Sequence, residues 1–134
     1  MEPLRRNLVA GLLLIAAGLL FGAFMSAARD LDFIEKWFRS PPMRSNQVMY
    51  AHAHLGVIGL ANIALGLALP FASLGTRARA MLSWAAALSG ILVPAGMMLS
   101  LLPEPWDRLV YLQAAGFLLL LYATAGTAWA LRRR

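Results

Sequence analysis

The run NLVAGLLLIAAGLLFGAFMSAA, Asn7 to Ala28, carries no charged residue. A helix needs roughly 20 apolar residues to cross about 30 Å of hydrocarbon, so this segment alone is long enough to span a bilayer. Three further charge-free stretches follow, Ser45 to Thr76, Ala80 to Pro103 and Leu109 to Leu131. The expected fold is an all-α membrane protein: one domain over residues 1–134, with four transmembrane helices at about 7–28, 48–74, 80–102 and 109–131. Composition agrees, since 60% of the 134 residues are hydrophobic and 13% charged, and a soluble domain of this size could not keep so much apolar surface from water. Two arginines before the first run and Met25-Ser26-Ala27-Ala28 after it imitate a cleaved signal peptide. The run exceeds the apolar core of about 7 to 15 residues usual in such signals, so a retained helix is the first reading and a signal peptide the second.

Basic residues near span ends set orientation. Arg5 and Arg6, then Arg77 and Arg79, then Arg132, Arg133 and Arg134 fall on one side if four helices alternate, with only Glu2 for acidic company. The other side mixes Arg29, Lys36, Arg39, Arg44 and Arg108 with Asp30, Asp32, Glu35, Glu104 and Asp107. Both termini are therefore expected on the cytoplasmic side of an inner (cytoplasmic) membrane. The net charge of +6 reads as topology and contact with a lipid bilayer of anionic character. No nucleic acid is expected as a partner, because the basic residues flank spans and form no face with interleaved aromatics.

Between the first two spans, Leu31, Phe33, Ile34, Trp37 and Phe38 group on one side of a helix while Asp32 with Lys36 and Glu35 with Arg39 stand at i,i+4 in the favourable order. A short interfacial helix between helices 1 and 2 is expected there, ended by Pro41-Pro42. The turn Leu102 to Asp107 places Trp106 as an interfacial anchor.

The second span opens on Tyr50-Ala51-His52-Ala53-His54-Leu55-Gly56, which holds both histidines of a chain without cysteine. An ionisable group inside a membrane is costly and marks function by default, and neutral imidazole is the commonest metal ligand. Two residues along a helix rotate a side chain by about 200°, so His52 and His54 do not share a face and cannot both hold one ion from a single subunit. Zinc is excluded as well, for it requires three or four ligands. A single axial bond to haem iron needs one histidine and leaves a position open. The competing role for both rings is a hydrogen bond to a carbonyl or to water at the interface; the doublet, the adjacent Tyr50 and the scarcity of other polar groups bring ligation level with it.

Small residues mark helix contacts. Gly11, Gly18 and Gly22 share a face of helix 1, and His52, Gly56, Gly59, Ile63 and Gly66 form a stripe on helix 2. Ordinary helix packing explains the glycines better than a flat cofactor, although a cofactor in that groove would favour His52 as its ligand. Ser83, Ser89, Ser100, Gln113, Tyr122, Thr124 and Thr127 are accounted for by hydrogen bonds between helices or to their own backbone. Asn62 stands apart, because a mid-span amide is costly unless paired. Pro94 with Gly90 and Gly96 suggests a kink in helix 3.

The segment Tyr50 to Gly56, the later Ser73-Leu74-Gly75, the Leu19-Leu20-Phe21-Gly22 run and the four-span length resemble the styrene oxide isomerase family, over about Leu19 to Met98, with helix 4 matched in hydrophobicity alone. The resemblance implies a small, trimeric bacterial membrane enzyme that binds haem b and rearranges an aryl epoxide to an aldehyde, the iron acting as Lewis acid toward the epoxide oxygen. The family's haem-ligating histidine, in an aromatic-Ala-Arg-Ala-His-x-Gly context, falls on His54, with Tyr50 at the aromatic position and His52 in place of the arginine. The resemblance thus assigns the metal to His54, with Tyr50 and Gly56 in the same motif, whereas the groove reading places His52, Gly56 and Gly59 near the cofactor. The family's substrate-contacting asparagine falls on Leu60, two positions before Asn62, and its tyrosine on or near Met97. Both departures remove hydrogen-bonding groups that would position an epoxide oxygen.

A pocket of Met97, Met98, Leu99 and Trp84 is expected to take a different hydrophobic small molecule, with Leu60, Asn62, Met97 and Met98 as candidate substrate contacts. Met97 or Met98 could instead take the sixth iron position and give an electron carrier, although packing is the more ordinary role of such methionines. The alternative to a haem-dependent isomerase is a non-catalytic small membrane protein, or a haem electron-carrying or gas-binding subunit. A multidrug-type exporter is disfavoured, because every acid lies outside the spans. A homo-oligomer is expected in either case, since four short helices enclose little volume, one subunit would cover only half of a haem, and the glycine faces of helices 1 and 2 offer contact surfaces.

Overall fold

The computed structural model of the chain describes residues 2–28, 42–100 and 106–133. Among these, four long helices carry the fold: α1 (Pro3–Ala28), α2 (Pro42–Ala68), α3 (Thr76–Leu99) and α4 (Val110–Arg132). Each forms all or most of a segment long and apolar enough to cross a membrane: Pro3–Ala28, Val48–Phe71, Thr76–Leu99 and Val110–Arg132. The described residues are thus helices and short turns without a strand, and the chain is a multi-pass membrane protein.

Prolines shift the helix ends away from the limits of the apolar runs. Pro3 and Pro42 each begin a helix, a position where the missing N–H costs nothing and the fixed φ is already helical. Pro42 therefore opens α2 six residues before the expected start of the second span. At the far end Pro70 cannot donate to a preceding turn, and α2 stops at Ala68, tightening into a 3-10 turn over Leu69–Phe71 that Ala72 leaves in extended conformation. The second span is accordingly shorter than the expected 48–74. Gly75 precedes α3 in extended conformation, and a second 3-10 turn, Trp106–Leu109, leads into α4. Pro94 is accommodated within a continuous α3. The expected interfacial helix over residues 31–38 lies outside the described residues, as do residues 101–105 of the following turn.

Helix directions follow from what meets what. On α1 and α2, Gly11 lies against Gly59, Gly18 against Leu55 and Gly22 against His52, so the two run antiparallel. On α3 and α4, Gly96 meets Gln113, Gly116 meets Val93 and Gly126 meets Leu82, again antiparallel. α2 and α3 join the two pairs, and α1 reaches α3 through Leu14 on Gly90. This up-and-down order brings the start of α1, the α2–α3 connection and the end of α4 to one end of the bundle, where Ser73 N–H donates to the Ala130 carbonyl at 3.4 Å. The core is built from Ala51, Ile58, Val93 and Met97 toward one end and from Leu65, Ala85, Ala86 and Ala123 toward the other. Most large apolar side chains, Leu13, Leu19, Leu20, Val57, Ile91 and Leu118 among them, face outward, the pattern of a protein whose solvent is lipid tails.

Candidate functional site

The two histidines point to different helices, as their spacing requires. His52 turns toward α1: its ring lies 6.1 Å from that of Phe21, and a Cβ placed on Gly22 would meet its Cε1 at 2.8 Å. Its Nδ1 is buried and has no hydrogen-bond partner among the described residues. The stripe of small residues running from His52 along α2 is filled by α1 itself, with the backbones closest where Gly11 and Gly59 meet. The space that would have admitted a flat cofactor beside His52 and Gly59 is a helix–helix seam. Gly56 stands clear of it, with nothing within 4 Å of where its Cβ would be.

His54 turns toward α4 and meets the ring of Phe117 edge-on, with centroids 5.5 Å apart. Its Nδ1 lies 2.7 Å from the carbonyl oxygen of Tyr50, one turn back. A carbonyl only accepts, so Nδ1 carries the proton and Nε2 of the neutral ring holds a lone pair. This is the carbonyl bond expected of the competing, non-ligating role, and the same arrangement fixes tautomer and orientation in metal-ligating histidines. Met97 is buried in the cluster with Ala51 and Ile58, residues three before and four after His54, so methionine and imidazole occupy the same level of the bundle. Met98 packs at the edge of that cluster, and Tyr50 is largely exposed.

The remaining expected site residues lie elsewhere. Leu60 is 62% exposed on the outer surface. Asn62 is fully buried; its Nδ2 donates to the Ile58 carbonyl at 3.1 Å and, across the helix interface, to the Ala86 carbonyl at 3.0 Å. Trp84 lies thirteen residues from Met97 along α3, about 20 Å at helical rise. The expected pocket joining Met97, Met98, Leu99 and Trp84 is therefore not formed within one subunit. Among the described residues no three of His, Cys, Asp or Glu gather as a metal site, so an ion would be held through one histidine at a time.

A polar network that the charge pattern did not reveal sits at the arginine-rich end. Arg6 Nε donates to Ser83 Oγ at 2.8 Å and Nη2 to the Ala80 carbonyl at 3.1 Å, while Ser83 Oγ also bonds Asn7 Oδ1 and the Pro3 carbonyl. Arg6 thus belongs to the α1–α3 contact as well as to the topology signal. The adjacency of Arg6 and Asn7 at the edge of the first apolar run was the one available hint. Ser89, Ser100, Thr124 and Thr127 bond backbone carbonyls one turn back on their own helices, as expected. Comparison of the chain with protein-family models, with curated proteins and with solved structures finds no match in any of the three.

Proposed function

We propose that this chain is an integral membrane haem b protein of the styrene oxide isomerase type, with His54 as the axial ligand and a hydrophobic epoxide as substrate. What supports the reading is that Nε2 of His54 is left as a lone-pair donor beside α4 once Nδ1 has met the Tyr50 carbonyl, a bond that a ring with only a packing role would make as well. His54 fits the requirement for a single nitrogen donor of fixed orientation, and Phe117 holds the ring from its side. When bound, the iron would supply Lewis acidity toward an epoxide oxygen, promoting rearrangement to a carbonyl compound. Met98, at the edge of the core cluster that holds Met97, would offer apolar surface at the same level and help to exclude water from the reacting molecule. The face of His54 belongs to the sparse contact between α2 and α4, so a second copy of the chain would complete the enclosure, and a homotrimer is the assembly we propose. The arginine-rich end, with both termini, would lie in the cytoplasm and the bundle in the inner membrane.

Purification from cells supplied with haem tests this directly. A Soret band with about one haem per chain, and conversion of an aryl epoxide to its aldehyde without added reductant, support it; a colourless, inactive preparation opposes it. A second reading, a non-catalytic membrane subunit, is favoured by two observations: the glycine stripe and Asn62 are both engaged in joining helices. A colourless protein that co-purifies with a defined membrane complex would support that reading instead.

A further inference from the structure

On the outer face of the bundle α1 and α3 leave a groove of about 450 Å³, lined by Val9, Leu13, Ala17, Ala87, Leu88 and Ile91 and headed by Arg6 and Trp84. It is apolar along its length and cationic at one end. Arg6 is held there by its bonds to Ser83 and to the Ala80 carbonyl and by its guanidinium carbon lying 4.4 Å from the centre of the Trp84 ring. All of these partners are uncharged, and they engage two of the five N–H groups that a guanidinium carries. A positive charge fixed at the head of a lipid-facing groove, with donors to spare and no carboxylate among its partners in the described residues, calls for an anion that brings its own apolar tail.

The dimensions agree. From Arg6 to Ala17 α1 rises about 16 Å, close to the half-thickness of a hydrocarbon core of about 30 Å. A chain lying in the groove would therefore run from the interface to the bilayer midplane, which is the reach of one acyl chain in one leaflet. Trp84 at the head suits the interfacial preference of indole. The same end of the bundle carries Arg5, Arg77, Arg79, Arg132 and Arg133, a field that draws anionic headgroups.

We propose that the α1–α3 groove is a binding site for an anionic phospholipid, its phosphate on Arg6 and one acyl chain along Leu13, Ala17, Leu88 and Ile91. The site is independent of haem and of either histidine.

The test uses the purified full chain in detergent with equal amounts of phosphatidylglycerol and phosphatidylcholine of matched chains, and native mass spectrometry to count retained lipid. The wild-type protein is expected to hold one phosphatidylglycerol in about fivefold preference, the effect of one arginine at an anionic surface. Arg6→Gln should abolish the preference. Ala87→Phe, which fills the groove and leaves Arg6 in place, should remove the retained lipid, and it decides the matter if Arg6→Gln does not fold. Equal retention of the two lipids by the wild type, or undiminished preference in Ala87→Phe, overturns the proposal, the latter by placing the lipid on the other arginines. So does efficient disulfide dimerisation of Leu13→Cys in membranes, which would show a second copy in the groove; the chain has no cysteine of its own to confuse that result.

Discussion

Asn62 shows how a polar residue in a membrane span can be structural. Both hydrogens of its amide meet carbonyl oxygens, one on its own helix and one on α3, while Oδ1 is buried without a partner among the described residues. The two carbonyls belong to helix turns that already satisfy them, and membrane interhelical hydrogen bonds are worth little more than about 0.6 kcal/mol on average. Relieving the orphaned oxygen offsets the loss of the two bonds. Asn62→Leu is therefore expected to change stability by no more than about 1 kcal/mol, whereas Asn62→Asp, which sets a carboxyl oxygen against the same carbonyls, should cost about 2 kcal/mol or more. Unfolding in mixed micelles with increasing dodecyl sulfate measures both; a large loss in Asn62→Leu would show that the amide has a role beyond this contact. That Asn62 needed a partner was legible in the sequence. The identity of the partner was not, because Ala86 presents only a backbone carbonyl.

The helices themselves were legible because charge-free length is a strong signal, and their ends were less so because prolines act locally. Pro42 and Pro70 move the limits of α2 in ways that hydropathy alone does not register. The glycine faces of α1 and α2 were likewise visible in the sequence, but which object fills a groove of small residues is a tertiary fact, and here it is the other helix. The closeness of that seam gives a contrast. A Cβ at Gly11 would lie 2.6 Å from the Gly59 carbonyl oxygen, on backbone that cannot step aside, whereas one at Gly56 would meet nothing. Gly11→Ala should cost about 1–3 kcal/mol. Gly56→Ala should be neutral or gain up to about 1 kcal/mol from helix propensity. Thermal unfolding in detergent that ranked the two equally would mean that α1 and α2 are not joined as described.

At the level of the whole bundle, antiparallel pairing gathers the start of α1, the α2–α3 connection and the end of α4 at one pole. Reporter fusions at either terminus are expected to give cytoplasmic signals, and a periplasmic signal from one of them would break the alternation. The opposite pole carries the histidines, with His52 enclosed by α1 and His54 facing α4. This division separates a histidine packed against α1 from one that faces α4, a distinction that the sequence left open because both rings occur within three residues. It also supplies the most direct test of the haem reading. Absorption spectra of His54→Ala and His52→Ala, purified alongside the wild type from haem-supplied cells, should show the Soret band lost in the first, restored there by added imidazole, and kept in the second. A band that survives in His54→Ala and disappears in His52→Ala would contradict the account.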